Sequence, residues 1–326
     1  MLSSSEPWVS IVTPVYNNED HIAECIRSIQ AQTYTNWDYT IVDNCSIDGS
    51  VEIASRFAAT DSRIRVVRNS QFLRAVANHN RALREISPKS LYCKIVFADD
   101  WIFPRCIEEM VSLAERYPSL GVVGAYGLQG EEVMWAGLPY GNGLFSGRDV
   151  CRRLFLNQTY VFGTSTSVLY RSELVRNRNS FYNESNLHAD IEACLMLLKE
   201  SDFGFVHQIL TFKRVREASL GSFTEDIKTL IAGHLYCLVT HGRDFLSEEE
   251  YVNVLRRRVA NYYNFLAVSF LRGRRDRAFW DYHKRKLNEA GVSFSTIRFG
   301  AAMIARLIRA VVNPLETFDK LLHSPL

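Results

Sequence analysis

The chain has 326 residues, 47% apolar and 23% charged, with a net charge of +2, the proportions of an ordinary globular enzyme with one main domain and a smaller appendage. Its seven scattered cysteines include no Cys-x-x-Cys pair, which argues against a zinc or redox centre and for reduced, mostly buried thiols. There is no basic-then-apolar leader and no apolar run near ~18 to 20 residues, so the expectation is a cytoplasmic protein, neither secreted nor membrane-spanning.

Residues 9–15 form an apolar, β-branched run that meets Pro14, which lacks the donor a central ladder needs, and predict a buried parallel strand ending in a turn. Ile22, Cys25, Ile26 and Ile29 recur at helical spacing, and residues 39–42 predict a second strand that ends in Asp43. This βαβ unit puts polar turns at two strand C-termini, where open α/β sheets bind ligands. Asp48 and Gly49 read as the turn and cap of the next helix. Residues 63–69 predict a short strand and residues 72–83 a helix. Residues 93–98 predict a strand closed by Asp99-Asp100, two adjacent acids that repel unless a cation joins them to a ligand. Hard Mg²⁺ or Mn²⁺, which prefers carboxylate and phosphate oxygens, suits that pair. Further strands are expected at 121–126, 162–171 and 203–206, with a glycine-rich loop at 129–144. Asp190 opens an amphipathic helix over 187–199.

From Phe223 onward there are 16 Lys plus Arg against 11 Asp plus Glu, leaving 22 against 25 before it, so the basic excess lies in the tail. It suits an anionic partner but falls short of a nucleic-acid-binding composition. The tail predicts helices at 227–239, 248–271, 277–289 and 295–312. The last is apolar with three arginines, compatible with a membrane surface, though packing on the main domain or on a second subunit is favoured.

Three segments resemble glycosyltransferase family 2: Thr13-Pro14-Val15-Tyr16-Asn17-Asn18-Glu19, Ser28-Ile29-Gln30-Ala31-Gln32-Thr33-Tyr34, and Ile41-Val42-Asp43-Asn44-Cys45-Ser46-Ile47-Asp48-Gly49-Ser50, in family order and spacing. The resemblance implies a GT-A fold, an α/β Rossmann-like, mostly parallel sheet flanked by helices, over residues 1–222. Residues 223–326 then form an α-helical C-terminal appendage for oligomerisation, packing or membrane-surface association. It also implies an inverting, metal-dependent, hexosyltransferase-type enzyme of polysaccharide biosynthesis. The sugar would pass from a nucleotide-diphosphate donor, of UDP-sugar class, to a hydroxyl of a glycan, lipid-linked or protein-linked acceptor.

By the same resemblance, Asp43 with Thr13, Pro14, Tyr16 and Glu19 serves the nucleotide, and Arg74, Asn78 and Arg81 lie by a helix start that faces the phosphates. Asp99 and Asp100 fall in the family's Asp-x-Asp region and serve metal and ribose, although Phe97 stands at the first acid position. Residues 164–166 resemble the small-residue strand under the donor sugar. Asp190 is the implied catalytic base, with Ala189 where relatives often carry Glu and Glu192 a weaker candidate. Lys213, Arg214 and Arg216 are implied phosphate contacts, Arg216 standing in for a histidine. The departures at Phe97 and Ala189 motivate an alternative, a catalytically inactive nucleotide-sugar-binding or scaffold protein.

Overall fold

Val9–Val15 (β1) is buried at every residue and Trp37–Asp43 (β2) at all but Asp38, so both strands need cover on each face. β1 pairs in parallel with β2 on one edge and with Tyr92–Ile95 (β4) on the other, while Ile64–Arg68 (β3) adds in parallel to β2. The register sets Val15 beside Asp43 and Asp43 beside Arg68. Ile22–Gln30 (α1), Ser50–Thr60 (α2) and Ala75–Leu83 (α3) are the crossover helices. α1 buries Ile22, Cys25, Ile26 and Ile29, the stripe that its spacing predicts. The computed structural model describes residues 6–214 and 227–312.

Beyond β4 the sheet becomes mixed. Val168–Arg171 (β9) lies antiparallel between β4 and Leu120–Gln129 (β6), and Asp202–Lys213 (β10) runs parallel to β6. Trp101–Ile102 (β5) and Leu144–Phe145 (β8) pair antiparallel with β10, and Glu132–Met134 (β7) with β6. Among the described residues the ten strands run β3-β2-β1-β4-β9-β6-β10-β5, with β7 and β8 off that path. Cys106–Arg116 (α4), Gly147–Phe155 (α5), Ser172–Arg176 (α6) and Ala189–Leu198 (α7) are the further helices among the described residues of this unit. Strand order reverses at β1, so the crevice past the ends of β1 and β4 is a topological switch point. Because β9 is antiparallel, its first residue reaches the same edge.

Two local expectations change. Residues 162–171 contain a strand only from Val168, because Gly163 takes φ 66° and Ser165–Ser167 forms a 3₁₀ turn closed by reciprocal Thr164 and Ser167 bonds. The strand expected at 203–206 continues to Lys213, carried by bulges on either side of Ile209.

The chain divides into two compact units, Met1–Ser222 and Phe223–Leu326. The second unit holds helices Leu230–Phe245, Glu248–Leu271, Arg277–Glu289 and Thr296–Val312. The first starts after Lys228, whose φ of 56° interrupts the run expected from 227. Ser247 and Glu250 form a capping box on the second helix, and Asp276 caps the third. Tyr262, Leu266, Phe279 and Leu287 centre its core.

His283 is fully buried in that core. The Tyr262 hydroxyl donates to its Nδ1 at 2.7 Å, and its Nε2 donates to the Ile227 carbonyl at 2.8 Å. Burial pushes the imidazole down to about 4, below the ~6.5 of an unfolded chain. The unfolded state therefore takes up the proton first, and stability present above pH ~6.5 is lost as pH falls toward ~4. The expected loss is on the order of 3 kcal/mol. Urea unfolding of the helical unit within the full chain, followed across that window, should show it, and His283→Gln should flatten it. An unchanged pH slope in the variant would sink this account.

Candidate active site

The turns after β1 and β2 lie side by side and are laced together. Asn17 N–H donates to Ser46 Oγ, Ile47 N–H to Asn17 Oδ1, and Asn18 N–H to Ser50 Oγ. Glu19 N–H donates to Asp48 Oδ2, and Gly49 N–H donates back to Glu19 Oε2 at 2.7 Å. Asn17 and Cys45 hold φ of 45° and 62°, which fixes the turn shapes. Glu19 therefore braces the turns, as does Asp48. Thr13 is also engaged internally: its hydroxyl donates to the Val96 carbonyl at 2.7 Å and accepts from Tyr39 at 2.8 Å. Pro14 is buried, and Tyr16 projects outward, edge-on to the exposed Phe72 with ring centres 5.0 Å apart.

Asp43 is buried at the crevice mouth. Oδ1 accepts from Ser46 N–H at 3.2 Å and Oδ2 from Arg68 Nε at 3.4 Å. Beside it, Asn69 Nδ2 donates to both Asn44 Oδ1 and Asn78 Oδ1 at 2.9 Å, and Asn44 clasps both backbone groups of Leu73. This asparagine ladder fixes the approach to α3. Asn78 belongs to it. Arg74, at the N-cap of α3, is exposed and has no ion pair among the described residues. Arg81 is bound to Glu85, which also holds Arg65.

Past β4, Asp99 is half-buried and Asp100 buried. Asp100 Oδ2 accepts from the Thr166 hydroxyl at 2.7 Å, and Oδ1 from Arg214 N–H at 3.1 Å. Arg214 Nε donates to the Asp99 carbonyl at 3.1 Å, and its guanidinium also pairs with Glu24. Burial and the neighbouring Asp99 charge push Asp100 up to about 7. Phe97 donates its N–H to Thr166 Oγ1 at 3.1 Å and rests its ring on His79, with centres 4.9 Å apart. Burial lowers His79 to about 4, so the imidazole is neutral. Below this turn lies Lys94, fully buried, donating to the carbonyls of Thr166 at 2.6 Å and Val168 at 3.1 Å. Desolvation lowers its pKa. The hydroxyls of Ser165 and Thr166, expected to face a sugar, are bonded to Tyr182 and Asp100 instead.

Asp190 sits in the first turn of α7, past an N-cap at His188, and its Oδ1 accepts from Ile191 N–H at 2.9 Å. Burial raises its pKa, while the charges of His188 and Lys213 oppose that rise. The Lys213 charge also favours ionisation of Asp100, so one ammonium at the end of β10 acts on both carboxyls. Asn80 secures the loop into α7, donating to Tyr182 O at 2.8 Å and accepting from Tyr182 N–H at 2.8 Å. Glu192 is buried against Asn183 and Asn186.

The structure thus gathers Asp99, Asp100, Asp190, Lys213 and Arg214 at one sheet edge, and Asp43, Arg68 and Tyr16 at the turns after β1 to β3. Arg216 lies outside the described residues. Sequence reasoning passed over Lys94, Arg68 and Asn69. The strand register that sets Asp43 beside Arg68 was available as a signal for one of them.

The sequence profile of glycosyl transferase family 2 matches residues 10–178. The chain belongs to glycosyl transferase family 2. This glycosyltransferase is 29% identical over 246 residues to EpsE of Bacillus subtilis, named as a glycosyltransferase, covering 72% of this chain and 83% of EpsE. It is 26% identical over 273 residues to the glycosyltransferase GlyG of Streptococcus pneumoniae, covering 78% and 85%. Among solved structures, S. aureus TarS 1-349 in complex with UDP-GlcNAc superposes with a TM-score of 0.65 at 16% identity, over 91% of this chain and 88% of that one. The mannosyltransferase PcManGT of Pyrobaculum calidifontis, in complex with GDP-Man and Mn²⁺, gives a TM-score of 0.57 at 15% identity, over 97% and 84%. These neighbours share the GT-A fold of this family 2 chain.

Lys94→Met should orphan two buried carbonyl acceptors of the glycosyltransferase and lower its unfolding free energy by ~2 kcal/mol. Denaturant unfolding checks this, and a variant as stable as the parent would show that Lys94 is not needed to hold the turn.

Proposed function

We propose that the chain transfers a sugar from a nucleoside diphosphate donor, of UDP-sugar class, to an acceptor hydroxyl on a glycan, lipid-linked or protein-linked sugar, with inversion at the anomeric carbon. The observation that carries this reading is that Asp100, pinned by Thr166 and Arg214 with Asp99 beside it, and Asp190 both feel the charge of Lys213 at the end of β10. Fold neighbours in complex with UDP-GlcNAc and with GDP-Man support a nucleotide-sugar donor.

In this reading Asp43, backed by Arg68 and Ser46, orients the base, with Tyr16 at its open face. Arg74, at the N-terminus of α3, and Lys213 with Arg214 face the diphosphate as cations. Asp190 takes the acceptor hydroxyl proton as that oxygen bonds the anomeric carbon. The bond from that carbon to the diphosphate breaks on the opposite face, and the pair of electrons leaves with the nucleotide.

Asp99 and Asp100 fit a divalent ion. No group of three or more His, Cys, Asp or Glu side chains is gathered among the described residues, and Mg²⁺ or Mn²⁺ in nucleotide sites takes one or two carboxylates plus phosphate oxygens. Both Asp100 oxygens keep a lone pair beyond their bonds to Thr166 and Arg214. A bound ion would neutralise charge on the leaving diphosphate.

Thermal shift with UDP, dTDP and GDP, each with and without Mn²⁺, should show metal-dependent stabilisation by one of them, reduced in Asp99→Asn. No stabilisation by any nucleotide would count against the reading, and binding without turnover would mark a nucleotide-sugar-binding protein instead.

Asp190→Asn should lower transfer by ~10² to 10⁴ while leaving nucleotide stabilisation intact. Because burial raises the Asp190 pKa and a base must be unprotonated, the acid limb of kcat/KM should fall off above the ~4 of an ordinary carboxylate. A rate profile flat through that region, or full activity in Asp190→Asn, would remove Asp190 from the role.

A further inference from the structure

Thr296–Val312 has two unlike faces. Phe299 and Ala302 pack into the core of the helical unit, and Phe299 meets Phe270 and Trp280 edge-on with ring centres 5.8 Å apart. The opposite face is apolar and uncovered: Ile297 is 83% exposed, Ile304 60%, Leu307 52%, Ile308 57% and Val312 70%. At helical spacing Ile297, Ala301, Ile304, Ile308 and Val312 align on one side, so the exposed side chains form a continuous strip along the helix. Isolated exposed apolar residues need no explanation, but a contiguous strip marks an interaction surface.

The charges beside the strip choose its partner. Arg298 and Arg309 are exposed, and both fall on the same flank, ~100 to 120° around the helix from Ile297. No acidic residue occurs between Glu289 and Glu316. A second copy seated on this face would bring arginines from both helices into one contact with no carboxylate on either helix to pair them. A surface carrying anionic phosphates above an apolar layer satisfies both features, because the strip can enter the acyl boundary while the guanidiniums meet headgroups. Among the described residues no helix is long and apolar enough to cross a membrane, so the geometry is that of a helix lying in the interface.

We propose that Thr296–Val312 docks the chain on an anionic lipid bilayer, lying in the membrane plane with Ile297, Ile304, Ile308 and Val312 inserted and Arg298 and Arg309 on headgroup phosphates. The proposal does not depend on which nucleotide or acceptor the first unit uses.

Full-length protein mixed with vesicles of phosphatidylcholine, or of phosphatidylcholine with phosphatidylglycerol, should co-sediment at least ~10-fold more strongly with the second, and salt should weaken the preference. Ile304→Asp combined with Ile308→Asp should abolish binding to both. Arg298→Gln combined with Arg309→Gln should remove the preference for phosphatidylglycerol while sparing weak binding. Both strip and flank residues face solvent, so circular dichroism and urea unfolding of the variants should match the parent. Failure to bind anionic vesicles, or equal binding to both kinds, overturns the proposal. So does a parent dimer in light scattering that the Ile304→Asp, Ile308→Asp variant dissociates, since the strip would then be a subunit interface.

Discussion

Three segments far apart in sequence meet at one buried carboxyl. Asp100 accepts the Thr166 hydroxyl on one oxygen and the Arg214 amide on the other, so the end of β4, the turn before β9 and the end of β10 cannot shift independently. Lys94 holds the same turn from beneath through its two carbonyls. A carboxyl and a lysine amine are both costly to bury, and here they are joined through the turn rather than in a direct ion pair. Such an arrangement adds little net stability. What it fixes is position: Asp99, Lys213 and Arg214 each flank a residue or strand end that Asp100 pins.

The site separates side chains that hold from side chains that face the crevice. Glu19, Asp48, Asn44, Asn69, Asn78 and Thr13 each bond a neighbouring turn or strand through at least one side-chain polar atom. Their effect is to fix loops that would otherwise be mobile, since each turn draws bonds from a different strand's end. Tyr16 and Arg74 keep exposed ends, and Asp99 and Asp190 are only partly covered. That division follows from burial. A polar group near the sheet must be satisfied by protein, while one at the crevice rim is satisfied by water or ligand.

The legible part of the fold was whatever depended on short-range pattern. β1, β2, α1 and the helices Glu248–Leu271 and Arg277–Glu289 lie where their apolar spacing places them. Asp43, Asp99, Asp100 and Asp190 were legible as candidates because each follows a strand or opens a helix, positions that project toward a sheet edge. The division of labour among them was not legible. Glu19 and Gly49 are 30 residues apart, Asn80 and Tyr182 are 102 apart, and Lys94 and Thr166 are 72 apart. Pattern reading treats a polar residue near a motif as free to meet ligand, and only the folded register reveals that its partner is already beside it. The 3₁₀ turn at Ser165–Ser167 escaped for the same reason: Val168 to Arg171 dominates the local pattern, while the Thr164 and Ser167 bonds that stop the strand look like ordinary small polar residues.

Phe97 and Ala189, the two departures from the fuller acidic pattern, have a packing logic. The Phe97 ring lies on a neutral His79, and its N–H is taken by Thr166, so position 97 joins α3 to the carboxyl turn. An acid there would be a third carboxylate beside Asp99 and Asp100, where burial and the Asp99 charge already raise Asp100. Ala189 is buried at the start of α7, where a second charge would have to be desolvated beside Asp190, itself already raised by burial. Each departure therefore removes a charge that this interior would have to neutralise, and each leaves the Asp99, Asp100 and Asp190 carboxyls in place. Loss of acid at these two positions therefore has a physical reason in this interior, where Lys213 is the side-chain charge that acts on both Asp100 and Asp190.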